Sequence, residues 1–331
     1  MRLLKWFYKR QVNNLANDKK RIGKGRALLL AICIIIFLFS ASLVIKHFVE
    51  INNNKKGYED LAGLVNNTTL DNGESEDEPV PDYSPLIEQN RDFVGQIIVP
   101  NTSINHPVVQ YADNDYYLDH SFEKKYDYRG AIFMDYRNDA VNLDSNTIIY
   151  GHNAYDTTMF SELVKYEDIE FYKKSPIIEF NTLEANYKWK IYGVFITNAT
   201  ASEDNGYIFN YIYPYMDGEN FDGFIEEVNK RRLYTTDVDI TDDDKMLVLS
   251  TCVRTLDLKN KYGKTTYRAN ARLVVLARMV RDGESAEVNV DNAKANENPK
   301  YPQLWYDKHG LKNPYKNDEK WYPQEVVQDE Q

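Results

Sequence analysis

The stretch MLVLSTCVR, residues 246–254, joins a strand-forming run to a chemically reactive side chain. Its first residues are apolar and favour strands, and the run ends in Ser250, Thr251 and Cys252 before the charged Arg254. The chain has only two cysteines, so a thiol at the mouth of a strand needs an explanation. A strand end holds a side chain rigidly, and the polar residues after it begin a loop. We therefore treat Cys252 as the first candidate functional residue.

Several other short runs share this strand-forming composition and alternate with turn signals. Together with the cysteine run they predict eight strands, at residues 93–100, 106–111, 130–136, 146–152, 176–181, 187–197, 245–252 and 271–280. Eight closely spaced strands are typical of a closed barrel or a sandwich. Residues 157–166 and 220–232 have the apolar spacing of helices instead. We predict a mostly β domain, a barrel with helical insertions, over residues 86–280.

The N-terminal region has the composition of a membrane anchor. Residues 1–26 contain nine Lys or Arg and one Asp, whereas the whole chain has a net charge of −11. Residues 27–45 carry no charge, and as a helix they reach about 28 Å, close to the hydrocarbon thickness of a bilayer. A cleaved signal peptide usually has a shorter apolar region, so we predict an uncleaved single-pass helix. The basic residues before it predict a cytoplasmic N-terminus and an extracellular body at the cell membrane.

The segments on either side of the β domain differ from it in composition. Residues 46–85 are polar and Asn-rich and predict an extracellular stalk, with at most a short helix near residues 58–65. Residues 281–331 form an acidic, Asn/Pro-rich tail that contains Trp305 and Trp321, so we expect part of it to pack on the barrel or to bind something. An acidic body argues against nucleic acid as a partner. The motifs of phosphate and metal sites are missing from the sequence, and we predict no cofactor and no metal.

In this topology Cys252 is the only thiol outside the membrane, because Cys33 lies within the apolar segment. Such a thiol forms an interchain bridge, reacts, or is buried and inert. A reactive thiol needs a base or a positive neighbour, because an ordinary thiol is mostly protonated at neutral pH. Among the five histidines, His152 follows a buried-type strand and Gly151, the same strand-end context as Cys252. A purely structural histidine is the alternative.

An acyl intermediate at Cys252 would also need a positive hydrogen-bond donor. Arg254 lies two residues beyond the cysteine, and Arg268, Arg272 and Arg278 lie on or near the next strand. Even spacings place the last three on one face, so strand alternation does not choose among them. Arg272 and Arg278 are about 20 Å apart along a strand and cannot both face one thiol. The residues alone leave the choice of arginine open.

Three motifs, taken in order, resemble the sortase family. YGHN ends one strand, LSTC ends a later one, and RLVVLAR lies on the strand after the cysteine. Residues 92–122, 130–138 and 148–163, and the helical insertion before the cysteine strand, are similar to class B sortases in particular. Sortases are membrane-anchored cysteine transpeptidases of Gram-positive bacteria with a closed eight-stranded barrel. The resemblance covers about residues 86–280.

The resemblance implies roles for the candidate residues. Cys252 would be the nucleophile, His152 the acid and base, and Arg272 the arginine that opens the final strand, with Arg268 as a lesser candidate. Ser250 and Thr251 are candidate substrate-binding residues beside them.

The resemblance also implies partners. Cleavage of an NPxTN-like sorting signal on exported surface proteins would give a thioacyl intermediate, which an amine of the peptidoglycan cross-bridge or of a lipid-linked precursor would resolve. The alternatives are a class B pilin polymerase, a hydrolytic cysteine peptidase on the same scaffold, and a surface-binding protein with an incidental thiol.

Two features depart from the family pattern. The segment between Cys252 and Arg272 is longer than is usual in class B, which puts the substrate specificity in doubt. The tail has no counterpart in the minimal domain. Its residues 313–317, NPYKN, share the Asn-Pro pair and the final Asn of the class B signal, although a chance match is expected in so Asn-rich a chain. The hypothesis to test is that this segment folds over the active-site groove as a tethered, weak competitor.

Overall fold

The computed structural model describes residues 2–66 and 81–324, in two units that comprise residues 1–57 and 58–331. Helix α1, Arg2–Asn66, begins in the first unit. Within it, Gly25–Lys46 has a mean hydropathy of 3.1 and is long and apolar enough to cross a membrane. This segment contains the predicted anchor at residues 27–45. Helix α1 includes residues 46–66 of the predicted stalk, and residues 67–80 of that stalk lie outside the described residues.

The second unit is built on a closed barrel of eight strands. The barrel strands are β1 Phe93–Ile98, β2 Asn105–Val109, β3 Ile132–Met134, β4 Asn146–Tyr150, β5 Ile177–Thr182, β6 Lys188–Asn198, β7 Met246–Val253 and β8 Ala271–Met279. Around the barrel they follow the order β1-β2-β3-β4-β7-β8-β6-β5. The pairs β2–β3 and β4–β7 are parallel, and the other pairs are antiparallel. All eight predicted strands, and the closed barrel, are confirmed.

Strand β7 is apolar over residues 246–249 because both of its faces are buried there. Leu247 and Leu249 belong to the main core of the barrel. Met246 and Val248 point the other way, into a second apolar cluster that includes Phe224 of the helical insertion. Continuing the alternation places Ser250 and Cys252 on this second face, and Cys252 is exposed where the covering layer ends.

Within residues 81–324, four shorter α-helices and several small elements surround the barrel. The helices are α2 Ser84–Gln89, α3 Ile169–Lys174, α4 Glu219–Arg231 and α5 Gln303–His309. The 3₁₀ helices are Tyr116–Leu118, Ser161–Glu167, Ala201–Asp204 and Val290–Asn292. Two small ribbons pair Tyr234–Thr235 with Lys294–Ala295 and Leu258–Lys259 with Thr265–Tyr267.

One predicted helix is confirmed and the other is wrong. Helix α4 matches the prediction at residues 220–232. The prediction at residues 157–166 fails because Thr157 and Met159 have φ of 63° and 54°, which no α-helix accommodates. The chain instead forms a 3₁₀ helix from Ser161 onward.

Packing begins before residue 86, where we had predicted that the folded domain starts. Tyr58 and Leu61, in the last turns of α1, and Tyr83 are buried in the main core. The Tyr58 hydroxyl donates to the carbonyl of Gly130 at 3.3 Å, and its ring lies edge-on to His106 at 4.9 Å. The barrel therefore uses residues that polar composition alone had assigned to the stalk.

The described part of the tail packs on the barrel, as its tryptophans had suggested. Trp321 lies against Phe209 and Phe224, with ring centroids 5.8 and 6.1 Å away. Lys300 is buried beside Glu227 of α4, with Nζ 3.1 Å from Oε2. The tail therefore covers the helical insertion and extends the fold beyond the predicted boundary at residue 280.

Candidate active site

Cys252 and Arg272 are direct neighbours across the antiparallel pair β7–β8. Their Cα atoms are register partners, as are those of Ser250 and Val274 two residues earlier along β7. Residues directly opposite in an antiparallel pair point to the same face, so the thiol and the guanidinium share one surface. Cys252 is exposed and Arg272 is half-buried. The structure therefore brings together the two side chains that the sequence had only proposed as partners.

His152 reaches the other side of Cys252 through the parallel pair β4–β7. Tyr150 is the register partner of Ser250, so residue 152 follows its strand level with residue 252. The Gly151 N–H donates to the Ser250 carbonyl at 3.2 Å, which carries the pairing one residue past the strand. The ends of β4, β7 and β8 thus place His152 and Arg272 on opposite sides of one thiol.

The backbone around His152 is held tightly against the cysteine strand. Asn153 donates from Nδ2 to the Cys252 carbonyl at 2.8 Å, and Thr251 donates from Oγ1 to the Gly151 carbonyl at 2.8 Å. A Cβ on Gly151 would lie 2.7 Å from the ring of Phe160, so only glycine permits this approach. The sequence had placed Gly151 directly before His152 at the strand end. Asn153, although part of the YGHN motif, had been given no role.

The ring of His152 is oriented by a backbone carbonyl. Its Nε2 lies 2.8 Å from the carbonyl oxygen of Leu118, which can only accept, so Nε2 is the donor in this hydrogen bond. This contact leaves Nδ1 to exchange protons with a substrate. Nothing in the sequence near Leu118 signalled the contact, because a backbone carbonyl has no residue signature.

A buried ion pair anchors the loop that carries His152. Arg129 donates to Asp156, and each side chain is only 3% exposed. Burial raises the pKa of Asp156, but hydrogen bonds from Thr158 and Arg129 outweigh it and hold the pKa below its ordinary value. The carboxylate therefore stays charged and ties the loop to the β2–β3 connection. Breaking one half of such a buried pair is strongly destabilising.

The other histidines whose side chains are described lie in different surroundings. His106 is buried beneath Tyr58, and burial lowers its pKa to about 4. His120 stacks on Tyr116 at 4.2 Å, and His309 contacts the Trp305 carbonyl in the tail. Among them, His152 is the histidine beside Cys252.

The remaining arginines are engaged elsewhere. Arg254 lies 3.7 Å over the ring of Tyr155, and Arg268 donates to the Tyr155 hydroxyl at 3.2 Å. Arg278 pairs with Met246 at the far end of β7–β8 and is 1% exposed, bound to Asp239 and Glu284. Register therefore places Arg272, and not Arg278, opposite Cys252, a distinction that the residues alone could not make.

Ser250 and Thr251, the candidate substrate-binding residues, are each only 2% exposed. The Ser250 hydroxyl forms a 2.8 Å hydrogen bond with the hydroxyl of the buried Tyr211, and Thr251 holds the Gly151 carbonyl. Strand alternation explains this, because Ser250 faces the covering layer and Thr251 faces the main core of the barrel. Both side chains are engaged within the fold, and a substrate-binding role for them stays a prediction.

The candidate site has the donors of covalent chemistry rather than those of a metal centre. Among the described residues, no three His, Cys, Asp or Glu side chains are grouped so that they could hold a metal ion. What the strand ends present is one thiol, one imidazole and one guanidinium. That set can attack a carbonyl, stabilise the resulting oxyanion and transfer a proton.

Comparison with known proteins agrees with this geometry. A family model described as the sortase domain matches residues 97–280. The chain belongs to the sortase family. It is 32% identical to Sortase B of Staphylococcus aureus over 77% of this chain and 95% of that protein. It is also 32% identical to Sortase B of Listeria monocytogenes, over 79% of this chain and 98% of that one.

A solved structure shares the fold of this sortase as well. The Staphylococcus aureus sortase B–substrate complex superposes with a TM-score of 0.57 at 29% identity, over 70% of this chain and 99% of that one. These matches confirm the resemblance to class B, and with it the closed eight-stranded barrel. Since sortases are cysteine transpeptidases, the chain belongs to a family of enzymes.

Proposed function

We propose that this sortase is a class B transpeptidase that uses Cys252, His152 and Arg272. The observation that carries the proposal is their placement on three adjacent strand ends, with Cys252 on β7 between His152 and Arg272. Cys252 is exposed, so a substrate can reach the thiol. Rigid strands hold the three side chains in position before any substrate binds.

In the proposed first step the Cys252 thiol gives its proton to His152 Nδ1, and the sulfur attacks the scissile carbonyl of the substrate peptide. A C–S bond forms, the C–N bond breaks, and the leaving amine takes a proton from His152. Arg272 donates hydrogen bonds to the carbonyl oxygen as negative charge develops on it. The product of this step is a thioacyl enzyme and a free C-terminal fragment.

In the second step an amine attacks the thioacyl carbonyl. His152 takes up the proton of the amine, an amide bond forms, and the Cys252 thiolate leaves. Water in place of the amine would give a hydrolytic peptidase. The covalent chemistry at the enzyme is otherwise the same.

The proposed substrates follow from the similarity to class B. They are exported proteins with an NPxTN-like sorting signal near the C-terminus, and the acceptor is a cell-wall amine of the cross-bridge or of a lipid-linked precursor. The apolar segment Gly25–Lys46 would hold the enzyme in the cell membrane. The basic residues before it favour a cytoplasmic N-terminus and an extracellular barrel. The enzyme would then act where exported substrates emerge.

Analysis of the reaction products tests this proposal. A peptide that contains an NPxTN-type sequence should be cleaved before its last Asn, and an added oligoglycine should appear joined to the new C-terminus by mass spectrometry. Equal yields of the hydrolysed peptide with and without the amine would favour the peptidase. Cleavage that survives Cys252→Ala would refute the proposed nucleophile. Cys33→Ala is the matched control and should react as the wild type does.

A further inference from the structure

The guanidinium of Arg272 is held by a side chain that the catalytic mechanism does not use. Arg272 donates from Nη1 to Asn270 Oδ1 at 2.7 Å and to the Ala271 carbonyl at 3.2 Å. Arg272 is the second residue of β8 and Asn270 lies just before that strand. The long side chain of an arginine has many rotamers. A fixed acceptor near its tip holds one of them in advance, so less rotamer entropy is lost when the guanidinium binds its next partner.

Asn270 is itself fixed by the connection that follows β6. Its backbone N–H donates to Glu203 Oε1 at 2.8 Å, and its Nδ2 donates to Thr200 Oγ1 at 3.1 Å. Because Nδ2 is committed to Thr200, the amide of Asn270 turns Oδ1 toward Arg272. Glu203 lies within the 3₁₀ helix Ala201–Asp204, and Thr200 directly precedes that helix.

Glu203 is an unusual residue to find as an anchor. It is only 4% exposed, and its Oε1 accepts from the Tyr267 hydroxyl at 2.8 Å as well as from Asn270. Its Oε2 is buried with no hydrogen-bond partner among the described residues. A buried carboxyl group with one unsatisfied oxygen destabilises a fold, so its presence calls for a function that offsets this cost.

The tail holds the same 3₁₀ helix from the outside. The backbone N–H of Gln303, at the start of α5, donates to Asp204 Oδ1 at 2.9 Å. Asn205 donates from Nδ2 to the Gln303 side-chain oxygen at 3.2 Å. The helix that carries Glu203 is therefore fixed between the tail and the residues that precede β8.

We propose that Asn270 and Glu203 are positioning residues that hold Arg272 in its productive rotamer. Glu203 fixes the backbone of Asn270, and Asn270 fixes the guanidinium beside Cys252. Neither touches the reacting atoms, so both act through Arg272. This inference rests on the proposed function of Arg272.

We call the contacts from Glu203 through Asn270 to Arg272 the relay. Steady-state kinetics of four variants test it, with the peptide and oligoglycine assay described above. Asn270→Ala removes the acceptor and should lower kcat by between about 10- and 100-fold with KM within about twofold, because a displaced catalytic group costs rate rather than binding. Asn270→Asp keeps Oδ1 and should recover most of the rate. Glu203→Leu should resemble Asn270→Ala, and Glu203→Gln, which keeps an acceptor, should stay near the wild type.

A matched control separates positioning from general damage. Asn292→Ala also removes an asparagine hydrogen bond, at 2.9 Å to Asp237, but lies in the tail. It should leave kcat unchanged. Thermal melting of each variant shows whether the fold is intact, and the Asp and Gln variants keep the test decisive even if the Ala or Leu variant unfolds.

A double-mutant cycle gives the deciding result. In an Arg272→Ala background, Asn270→Ala should change the rate by less than about twofold, because a residue that acts through Arg272 has nothing left to position. An equal loss in both backgrounds, or an Asn270→Ala enzyme as fast as the Asn292→Ala control, would overturn the relay and leave the function of Arg272 intact. An Arg272→Ala enzyme with the wild-type rate would instead overturn the function of Arg272, and the relay with it.

Discussion

At the scale of single residues, the site depends on groups that differ in geometry more than in charge. Arg272 presents a planar fork of donors and is held by Asn270 at 2.7 Å. A lysine at this position would keep the positive charge but lose the fork and its fixed direction. The oxyanion that we propose to form at Cys252 needs donors in place before the reaction, and a flexible ammonium does not provide them.

Arg272→Lys should therefore lower kcat by about 100-fold, the loss expected when one oxyanion donor is removed. The melting temperature should stay close to that of the wild type, because Arg272 is half-buried and forms its hydrogen bonds at the protein surface. Arg268→Lys, on the exposed contact with Tyr155, is the control and should react normally. An inactive Arg268→Lys enzyme together with an active Arg272→Lys enzyme would show that the wrong arginine was chosen.

Residue patterns in the sequence predicted the positions of Cys252, His152 and Gly151, because each stands at a recognisable strand end. They could not select Arg272 from the other arginines, since that choice depends on the register between β7 and β8. They also could not reveal Asn270 or Glu203. Glu203 meets Asn270 only after the β6–β7 connection has folded against the start of β8, and nothing in the local sequence signals this contact.

At the scale of elements, the active site is the point where three strands end side by side. The residues beyond β4 stay close to β7 because Gly151 has no side chain. A Cβ added at Gly151 would lie only 2.7 Å from the ring of Phe160. The contacts of Thr251 and Asn153 then fix the level of His152. Displacement of this turn would move His152 away from the thiol.

Gly151→Ala should destabilise the fold by about 1–3 kcal/mol, the usual cost of overpacking, and should slow the reaction as the turn shifts. Gly193→Ala is the control, because Gly193 lies within β6 and the nearest atom to its added Cβ is 3.5 Å away. Thermal melting and kcat measured on both variants test this account. Equal melting temperatures for the two would contradict the tight packing at Gly151.

One predicted helix was wrong, and one predicted boundary left out residues that pack on the core, for physical reasons that a hydrophobic pattern does not contain. The helix predicted at residues 157–166 ignored backbone conformation, and Thr157 and Met159 adopt positive φ. The boundary at residue 86 ignored Tyr58, Leu61 and Tyr83, which lie in polar sequence but pack into the core. Composition describes a segment on average, whereas a few apolar side chains decide whether it docks.

At the scale of the whole molecule, the described part of the tail belongs to the fold. The hydrogen bonds of the NPYKN segment go to other tail residues, from Asn313 to Gln303 and from Tyr315 to Asn298. Among the described contacts none joins this segment to Cys252, His152 or Arg272, and the hypothesis that it folds over the groove stays a prediction. The tail contacts two segments near the site, at Asp204 and, through Lys308, at the Thr255 carbonyl.

Removal of residues 285–331 should lower the melting temperature, since it uncovers the apolar cluster beneath Trp321 and removes Lys300 from Glu227. It should also reduce kcat/KM, because the 3₁₀ helix that holds Asn270 loses its outer support. Steady-state kinetics and melting of the truncated enzyme check both outcomes. A lower KM with unchanged kcat would support the hypothesis that the tail is a tethered competitor.

The link between the tail and α4 also predicts how stability changes with pH. Burial raises the pKa of Glu227, but the charges of Arg231, Lys230 and Lys300 outweigh it and hold the pKa at about 2, below its ordinary 4.5. A carboxyl whose pKa is lowered on folding stabilises the protein above its ordinary pKa, and the stabilisation is lost as the pH falls through the folded value.

The melting temperature should therefore fall between about pH 4.5 and pH 2, and Glu227→Gln should flatten part of that fall. Glu226→Gln is the neighbouring control, because the Glu226 side chain is 69% exposed. It should follow the wild-type curve. A Glu227→Gln protein with an unchanged acid profile would show that this ion-pair cluster does not couple the tail to α4.

The central claim is that Cys252 forms a covalent acyl intermediate, and the mass of the intact enzyme tests it most directly. The enzyme is mixed with an NPxTN-type peptide, without an amine, and analysed by mass spectrometry. We predict that the enzyme gains the mass of the N-terminal peptide fragment, that fragmentation places it on Cys252, and that hydroxylamine releases it. An active enzyme with no adduct, or an adduct that persists in Cys252→Ala, would contradict the account.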